Sequence, residues 1–171
     1  MGARKFTLQP LTTITAAALT AASGTIHGSL KYLGVDGIKR AALGLHVTTH
    51  DNTNANETYQ FYITTGIKLP SGVSMYWDLG AYIVVSGADA VVGDIMIIGE
   101  GANAPTSVVA NGTLTGIAPT LANGTDLDTR GTITTAIVRE GFFGDWLSWT
   151  ITGGGTTPGP ITFQIAGIVW S

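Results

Sequence analysis

The chain has 171 residues and a formal net charge of −3, and only 11% of its residues are charged, against about 25% in an ordinary domain. Its length fits one domain with a real core. The weak negative charge excludes a broad basic field for nucleic acid or anionic membranes, and the lack of cysteine excludes disulfides and thiolate chemistry. A surface so poor in charge suits a protein that is covered by copies of itself or by a partner.

The first 25 residues alternate poorly and carry little charge beyond Arg4 and Lys5. Threonine and Pro10 interrupt their apolar part, so the stretch makes a poor secretory signal, and no apolar run approaches the roughly 18 residues that would span a bilayer. Such a segment cannot bury enough apolar surface for its own core. We therefore predict an extended N-terminal arm or irregular lead-in over residues 1–25, ordered by a neighbouring chain, and a β-sandwich domain over residues 26–171.

From residue 41 onward, apolar residues recur at every second position, which is the period of a half-buried strand. AALGLHVTTH and TYQFYITT flank the turn-forming loop DNTNANE, and together they predict a hairpin. The short apolar run VVGDIMIIG is consistent with a strand that is buried on both faces. Asn111-Gly112 is a strong signal for a tight turn, and Asn123-Gly124 marks another.

The C-terminal stretch WLSWTITGGGTTPGPITFQIAGIVWS contains two alternating strands around a Gly-Thr-Pro connection. We predict that this connection is exposed and tolerates deletion of two glycines. The last strand is expected to lie inside a sheet, because Val169 and Trp170 would otherwise fray into water. About eight strands in all, with turn signals every 8–12 residues or so, predict an all-β jelly roll or β-sandwich. The residues expected to face a common core are Tyr59, Phe61, Ile63, Trp149, Ile151, Phe163 and Ile165.

No motif in the sequence points to catalysis. A G-x-S-x-G elbow, a Walker loop and an H-E-x-x-H motif are all absent from it. His46 and His50 lie four residues apart, which on a strand is about 13 Å and too far for both to bind one zinc ion. We interpret them, with His27, as ordinary strand or surface residues. The expectation is a protein that is not an enzyme and needs no cofactor.

Two loops are rich in oxygen ligands of the kind that calcium prefers. One runs from Asp51 to Glu57, and the other contains Asn123, Asp126 and Asp128. Neither matches an EF-hand, and turn chemistry explains the same residues. A structural calcium ion therefore remains an alternative to plain turns.

The tryptophans divide by strand face. Trp77 and Trp149 follow the apolar face of their strands and are predicted to be core residues. Trp146 and Trp170 fall on the opposite faces, so we expect them to contact a neighbouring subunit. A sugar-binding groove is the other use for such aromatic residues.

The C-terminal stretch resembles the end of small structural proteins of tailed-phage virions, in which two strands around a Gly-Thr-Pro connection close a β-sandwich. The cysteine-free composition, rich in Thr, Gly and Ala, is similar to that of phage capsid decoration or cement proteins. The resemblance implies a non-catalytic jelly roll on the outer capsid surface, often a homotrimer, that clamps neighbouring major capsid subunits. Its partners would be the major capsid protein and copies of itself, with no nucleic acid and no membrane. The candidate contact residues are Arg4, Lys5, Phe6, Leu8, Trp146 and Trp170.

Two other classes of function are compatible with this sequence. A carbohydrate-binding module of a phage fibre or tailspike would show a solvent-facing aromatic groove and a nearby calcium ion. A small β-sandwich hydrolase would need a catalytic constellation, which the motifs above do not supply.

Overall fold

The structure is a computed structural model of the chain. It describes residues 2–21, 25–29, 31–32, 38–51, 58–68, 70, 74–85, 92–99, 103–107, 121–123, 143–155 and 159–171.

The described residues form eleven strands and one short helix. In chain order they are β1 (Ala3–Ile14), α1 (Ala16–Ala21), β2 (Thr25–His27), β3 (Lys31–Tyr32), β4 (Arg40–His50), β5 (Thr58–Lys68), β6 (Ser74–Val85), β7 (Val92–Gly99), β8 (Asn103–Ser107), β9 (Leu121–Asn123), β10 (Trp146–Gly154) and β11 (Ile161–Trp170). Seven of these strands have eight residues or more, against about eight strands predicted. The all-β class is confirmed.

The strands form two antiparallel sheets. The five-stranded sheet has the order β1-β11-β4-β7-β8, and the six-stranded sheet has the order β2-β10-β5-β6-β9 with β3 also paired to β10. The pairs are nested along the chain: β1 pairs with β11, β2 with β10, β4 with β7, and the consecutive strands β5 and β6 pair at the middle. A long antiparallel ribbon that is folded at its middle and rolled up gives this nested pairing, which is the jelly-roll arrangement.

This topology corrects the predicted hairpin between residues 41–50 and 58–65. β4 pairs with β11 and β7, whereas β5 lies in the other sheet and pairs with β10 and β6. The two strands do alternate as predicted, but alternation shows which face is buried and not which strand lies alongside. The chain thus passes from one sheet to the other between β4 and β5, and it does so again between β10 and β11.

The core lies between the two sheets and is built from the alternating positions. Phe163 of the five-stranded sheet makes edge-to-face contacts with Phe61 and Trp149 of the six-stranded sheet, with ring centroids 4.7 Å and 5.0 Å apart. All seven residues predicted to share the core are buried in one cluster, so this prediction is confirmed. The side chain of Trp77 lies outside the described residues.

The N-terminal arm predicted over residues 1–25 is corrected by the structure. Residues 3–14 form β1, an edge strand of the five-stranded sheet that pairs with β11 from Ala3 to Ile14. Leu8 and Ile14 are buried in the common core. The poor alternation that suggested an arm comes from two register shifts around Gln9, which bring residues of both parities toward the core.

The predicted Gly-Thr-Pro connection is only partly exposed. Gly153 and Gly154 belong to β10 and pair with Tyr59 and Thr58, so part of the run is strand. Gly155 is exposed, with a φ of 100° that favours glycine. Gly159 is buried, and residues 156–158 lie outside the described part of the chain.

Candidate functional site

The structure separates the predicted contact residues into three groups. Arg4 and Lys5 are exposed at the start of β1. Phe6 is half-buried and packs on the core, and Trp170 is half-buried at the end of β11. Leu8 and Trp146 are buried, at 6% and 4% exposure.

Two of these contact predictions are therefore corrected. Leu8 points into the sandwich, because it lies two residues after Phe6 and therefore on the same side of β1, which packs against the core. Trp146 lies opposite the core face of β10, but that second face is also buried, together with Ser148 and Thr150. Alternation alone assigns such a face to solvent, and it fails for a strand that is covered on both sides.

The outer face of the five-stranded sheet presents apolar residues that the described strands leave partly open. Ala41, Leu43 and Leu45 of β4 point into the core. Ala42 and Gly44 alternate with them and therefore lie on the outward side of the strand. The register continues this face onto neighbouring strands, where Ile168 and Ala166 of β11 and Ile97 and Ile95 of β7 pair with Ala42 and Gly44. We call this surface the outer face, and its residues are Ala42, Gly44, Ile95, Ile97, Ala166 and Ile168.

The centre of the outer face is uncharged. Ala166 is exposed, and Ile95 retains 50% of its surface. Sequence reasoning missed this residue, since the continuous run VVGDIMIIG predicted burial on both faces. The pairing of Ile95 with Gly44 explains the difference, because a glycine beside an isoleucine leaves the isoleucine side chain uncovered on that side.

The rim of the outer face is polar. His46 contacts the side chain of Gln164 at 3.3 Å, and both residues lie at one end of the face. At the other end the guanidinium of Arg40 lies 6.0 Å from the ring centroid of Trp170, within the range of a cation–π contact. Arginine and aromatic residues such as Arg40 and Trp170 are enriched at protein-binding surfaces.

The histidines have separate surroundings. The ring of His50 contacts the backbone oxygen of Asp51 at 3.2 Å and lies edge-on to Tyr59, whereas His46 contacts Gln164. Within the described residues, no three His, Cys, Asp or Glu side chains are grouped closely enough to hold a metal ion. Most of the two proposed calcium loops, residues 52–57 and 124–128, lies outside that part of the chain. Likewise, no described helix is long and apolar enough to cross a membrane.

Two further large apolar side chains are exposed. Tyr32 of β3 is 65% exposed and Leu11 of β1 is 59% exposed. The ring of Tyr32 lies on the six-stranded sheet and is available to a ligand. Neither residue was singled out from the sequence, because short or irregular strands give no clear alternation.

The fold and surface thus define an all-β jelly roll with an open apolar sheet face. No protein-family model and no curated protein matches the chain. Among solved structures, the CBM2 module of the evolved Dit of Lactobacillus casei BL23 phage J-1 is similar, with 14% identity and a TM-score of 0.34. The match covers 85% of this chain and 68% of that chain. A likeness at this level does not assign a ligand or a partner.

Proposed function

We propose that this chain is a non-enzymatic structural protein of a phage particle, which decorates the capsid and stabilises it by bridging neighbouring major capsid subunits. The observation that carries the proposal is the open outer face with half-exposed Ile95 at its centre. A flat apolar sheet face on a protein with few charges favours burial against another protein. The jelly roll is also a recurrent fold of viral capsid proteins.

The size of the outer face bears on how the protein would attach. The five strands of the sheet, about 4.8 Å apart and about 27 Å long, present roughly 500 Å² in projection, and the outer face on β4, β7 and β11 is part of that area. A stable interface usually buries about 800 Å² on each partner. A single copy would thus bury a small area on its partner. Several copies joined in one oligomer bind more tightly, because the copies bind together and need no new kind of contact. This favours a homo-oligomer, with the trimer implied by the resemblance as the expected form.

A carbohydrate-binding module of a phage fibre or tailspike is the second candidate. The exposed ring of Tyr32 favours it, because aromatic faces stack on sugars. The carbohydrate would then bind at Tyr32, on the six-stranded sheet, without a capsid partner.

The two functions are tested by a pair of matched variants. Ile95→Lys places a charge in the outer face, and Leu11→Lys places the same charge on an equally exposed leucine of β1. The variants are added to phage particles that lack this protein, and the amount bound to each particle is measured. We expect Ile95→Lys to bind at least about tenfold less than the parent protein, since burying an unpaired charge is costly. Leu11→Lys should bind as the parent does. Full occupancy of Ile95→Lys, or strong binding of the parent protein on a glycan array, would refute capsid decoration through this face.

A further inference from the structure

A cluster of cations lies at one end of the five-stranded sheet, where β1 and β4 begin and β11 ends. Arg4, Lys5, Lys39 and Arg40 are all exposed there. The backbone N–H of Lys39 donates to the carbonyl of Trp170 at 2.9 Å, so the start of β4 is tied to the end of β11. We call these four cations, together with Trp170, the basic end.

The strand register brings the cations of the basic end close to one another. Arg40 pairs with Trp170, and Lys5 pairs with Ile168 two residues earlier. β11 lies between β1 and β4, so the backbones of β1 and β4 are about 10 Å apart. That distance is about one Debye length at an ionic strength of about 0.1 M, so the fields of Lys5 and Arg40, which lie on the same side of the sheet, add at low salt.

The basic end concentrates positive charge in a chain whose net charge is negative. The four residues are half of the eight lysines and arginines in the sequence, and the net charge is −3. β1, β4 and β11 contain no acidic residue at all. The positive field at this end is thus not neutralised by the strands that carry it, and it favours a negatively charged partner.

We infer that the basic end binds an acidic surface on a protein partner and orients the outer face against it. This inference rests on the proposed function, because the apolar outer face continues directly from the basic end through Ile168 and Ala42. Apolar contact alone does little to fix the orientation of one protein relative to the other. Complementary charges on the two surfaces do fix it. The partner's surface would carry aspartates or glutamates opposite Lys5 and Arg40.

A protein surface fits this end better than an acidic polysaccharide does. The guanidinium of Arg40 already lies over the ring of Trp170, so that ring is not open for stacking on a sugar. Arginine and tryptophan beside an apolar face are the residue types that dominate the binding energy of protein interfaces.

The test measures binding of the full chain to two polymers of carboxylates by fluorescence anisotropy. One probe is fluorescein-labelled polyglutamate, and the other is polygalacturonate of similar length. We expect the parent chain to bind polyglutamate at least as tightly as polygalacturonate, with affinity that falls as salt is added. Lys5→Gln with Arg40→Gln should weaken polyglutamate binding about fourfold or more, at about two- to fivefold for each surface charge.

The control variant removes an equal number of positive charges, two, from the six-stranded sheet, as Lys31→Gln with Lys68→Gln. It should weaken binding less than the first variant does. Equal losses in both variants, no binding at low salt, or tighter binding of polygalacturonate would each overturn the inference. None of these results depends on particle occupancy, so the inference can fail while capsid decoration stands.

Discussion

Single glycines decide how closely the strands approach in this sandwich. Gly167 of β11 faces the same side as Ile165 and Val169, and a Cβ added there would meet the backbone oxygen of Ala42. It would also lie 3.1 Å from the ring of Phe6, which covers the glycine from the edge strand. The half-buried Phe6 thus acts in packing, rather than as the free contact residue that its sequence position suggested.

Replacing Gly167 with alanine tests this packing. We expect Gly167→Ala to lower the free energy of unfolding by about 1–3 kcal/mol, because the neighbouring backbone has to shift. Gly2→Ala is the matched control, since no atom lies within 4 Å of a Cβ added at Gly2. Urea denaturation measures both variants. Stability equal to that of the parent in Gly167→Ala would show that β11 and β4 separate without cost.

A buried tyrosine ties β5 to the segment before β11. The hydroxyl of Tyr59 donates to the carbonyl of Gly159 at 2.9 Å, and Tyr59 is completely buried. We expect Tyr59→Phe to cost about 1–2 kcal/mol in urea denaturation, because the carbonyl loses its donor in a buried site. Tyr32→Phe is the control and should cost at most about 0.5 kcal/mol, since Tyr32 is 65% exposed and lies at the surface. A larger loss in Tyr32→Phe than in Tyr59→Phe would contradict the prediction.

At the scale of elements, β1 is the strand whose role changes most between sequence and structure. As an edge strand it carries Arg4, Lys5 and Pro10 and two register shifts, and all of these features discourage pairing with another chain's strand. It also contributes to the core, where the side chain of Gln9 accepts a hydrogen bond from the indole N–H of Trp149 at 3.1 Å. Removal of this segment should therefore damage the fold, rather than leave the soluble domain expected for an arm.

Two leucines on β1 separate these possibilities without a truncation. Leu8→Ala should lower the free energy of unfolding by about 2–5 kcal/mol, because it empties a buried site. Leu11→Ala, on the same strand but 59% exposed, should change it by no more than about 0.5 kcal/mol. Thermal or urea unfolding provides the measurement. Equal, small effects would show that β1 is attached loosely and that residues 1–14 behave as an arm after all.

At the scale of the whole molecule, the jelly roll joins the two ends of the chain. Ala3 pairs with Trp170, and Ile14 pairs with Ile161, so one strand pair closes almost the entire sequence. Forming such a non-local strand pair lowers the entropy of the long loop between the strands before their contacts stabilise the fold. The domain depends on residues from both ends, and its folding has to bring them together.

We therefore expect slow folding, on a timescale of about milliseconds to seconds, as in other all-β domains with distant pairings. Stopped-flow refolding from urea measures the main phase. The chain has six prolines, so any phase slower than about ten seconds should be accelerated by a prolyl isomerase while the main phase is unchanged. A main phase in microseconds would be incompatible with closure of the β1–β11 pair during folding.

The sequence by itself determined the class of fold and most of the core, because a side-chain period of two is a local property that each strand displays on its own. It identified Phe61, Trp149 and Phe163 as core partners, and the structure buries all three. It also located Arg4 and Lys5, two of the four cations of the basic end.

Only the tertiary structure decided which strands are neighbours and which second faces are covered. Backbone hydrogen bonds pair strands with little regard to residue identity, so alternation could not place β4 and β5 in different sheets. For the same reason it could not tell that Trp146 is buried while Ile95 is open. The candidate surface therefore depends on non-local register, which joins β1, β11, β4 and β7 into one face and sets Lys5 near Arg40.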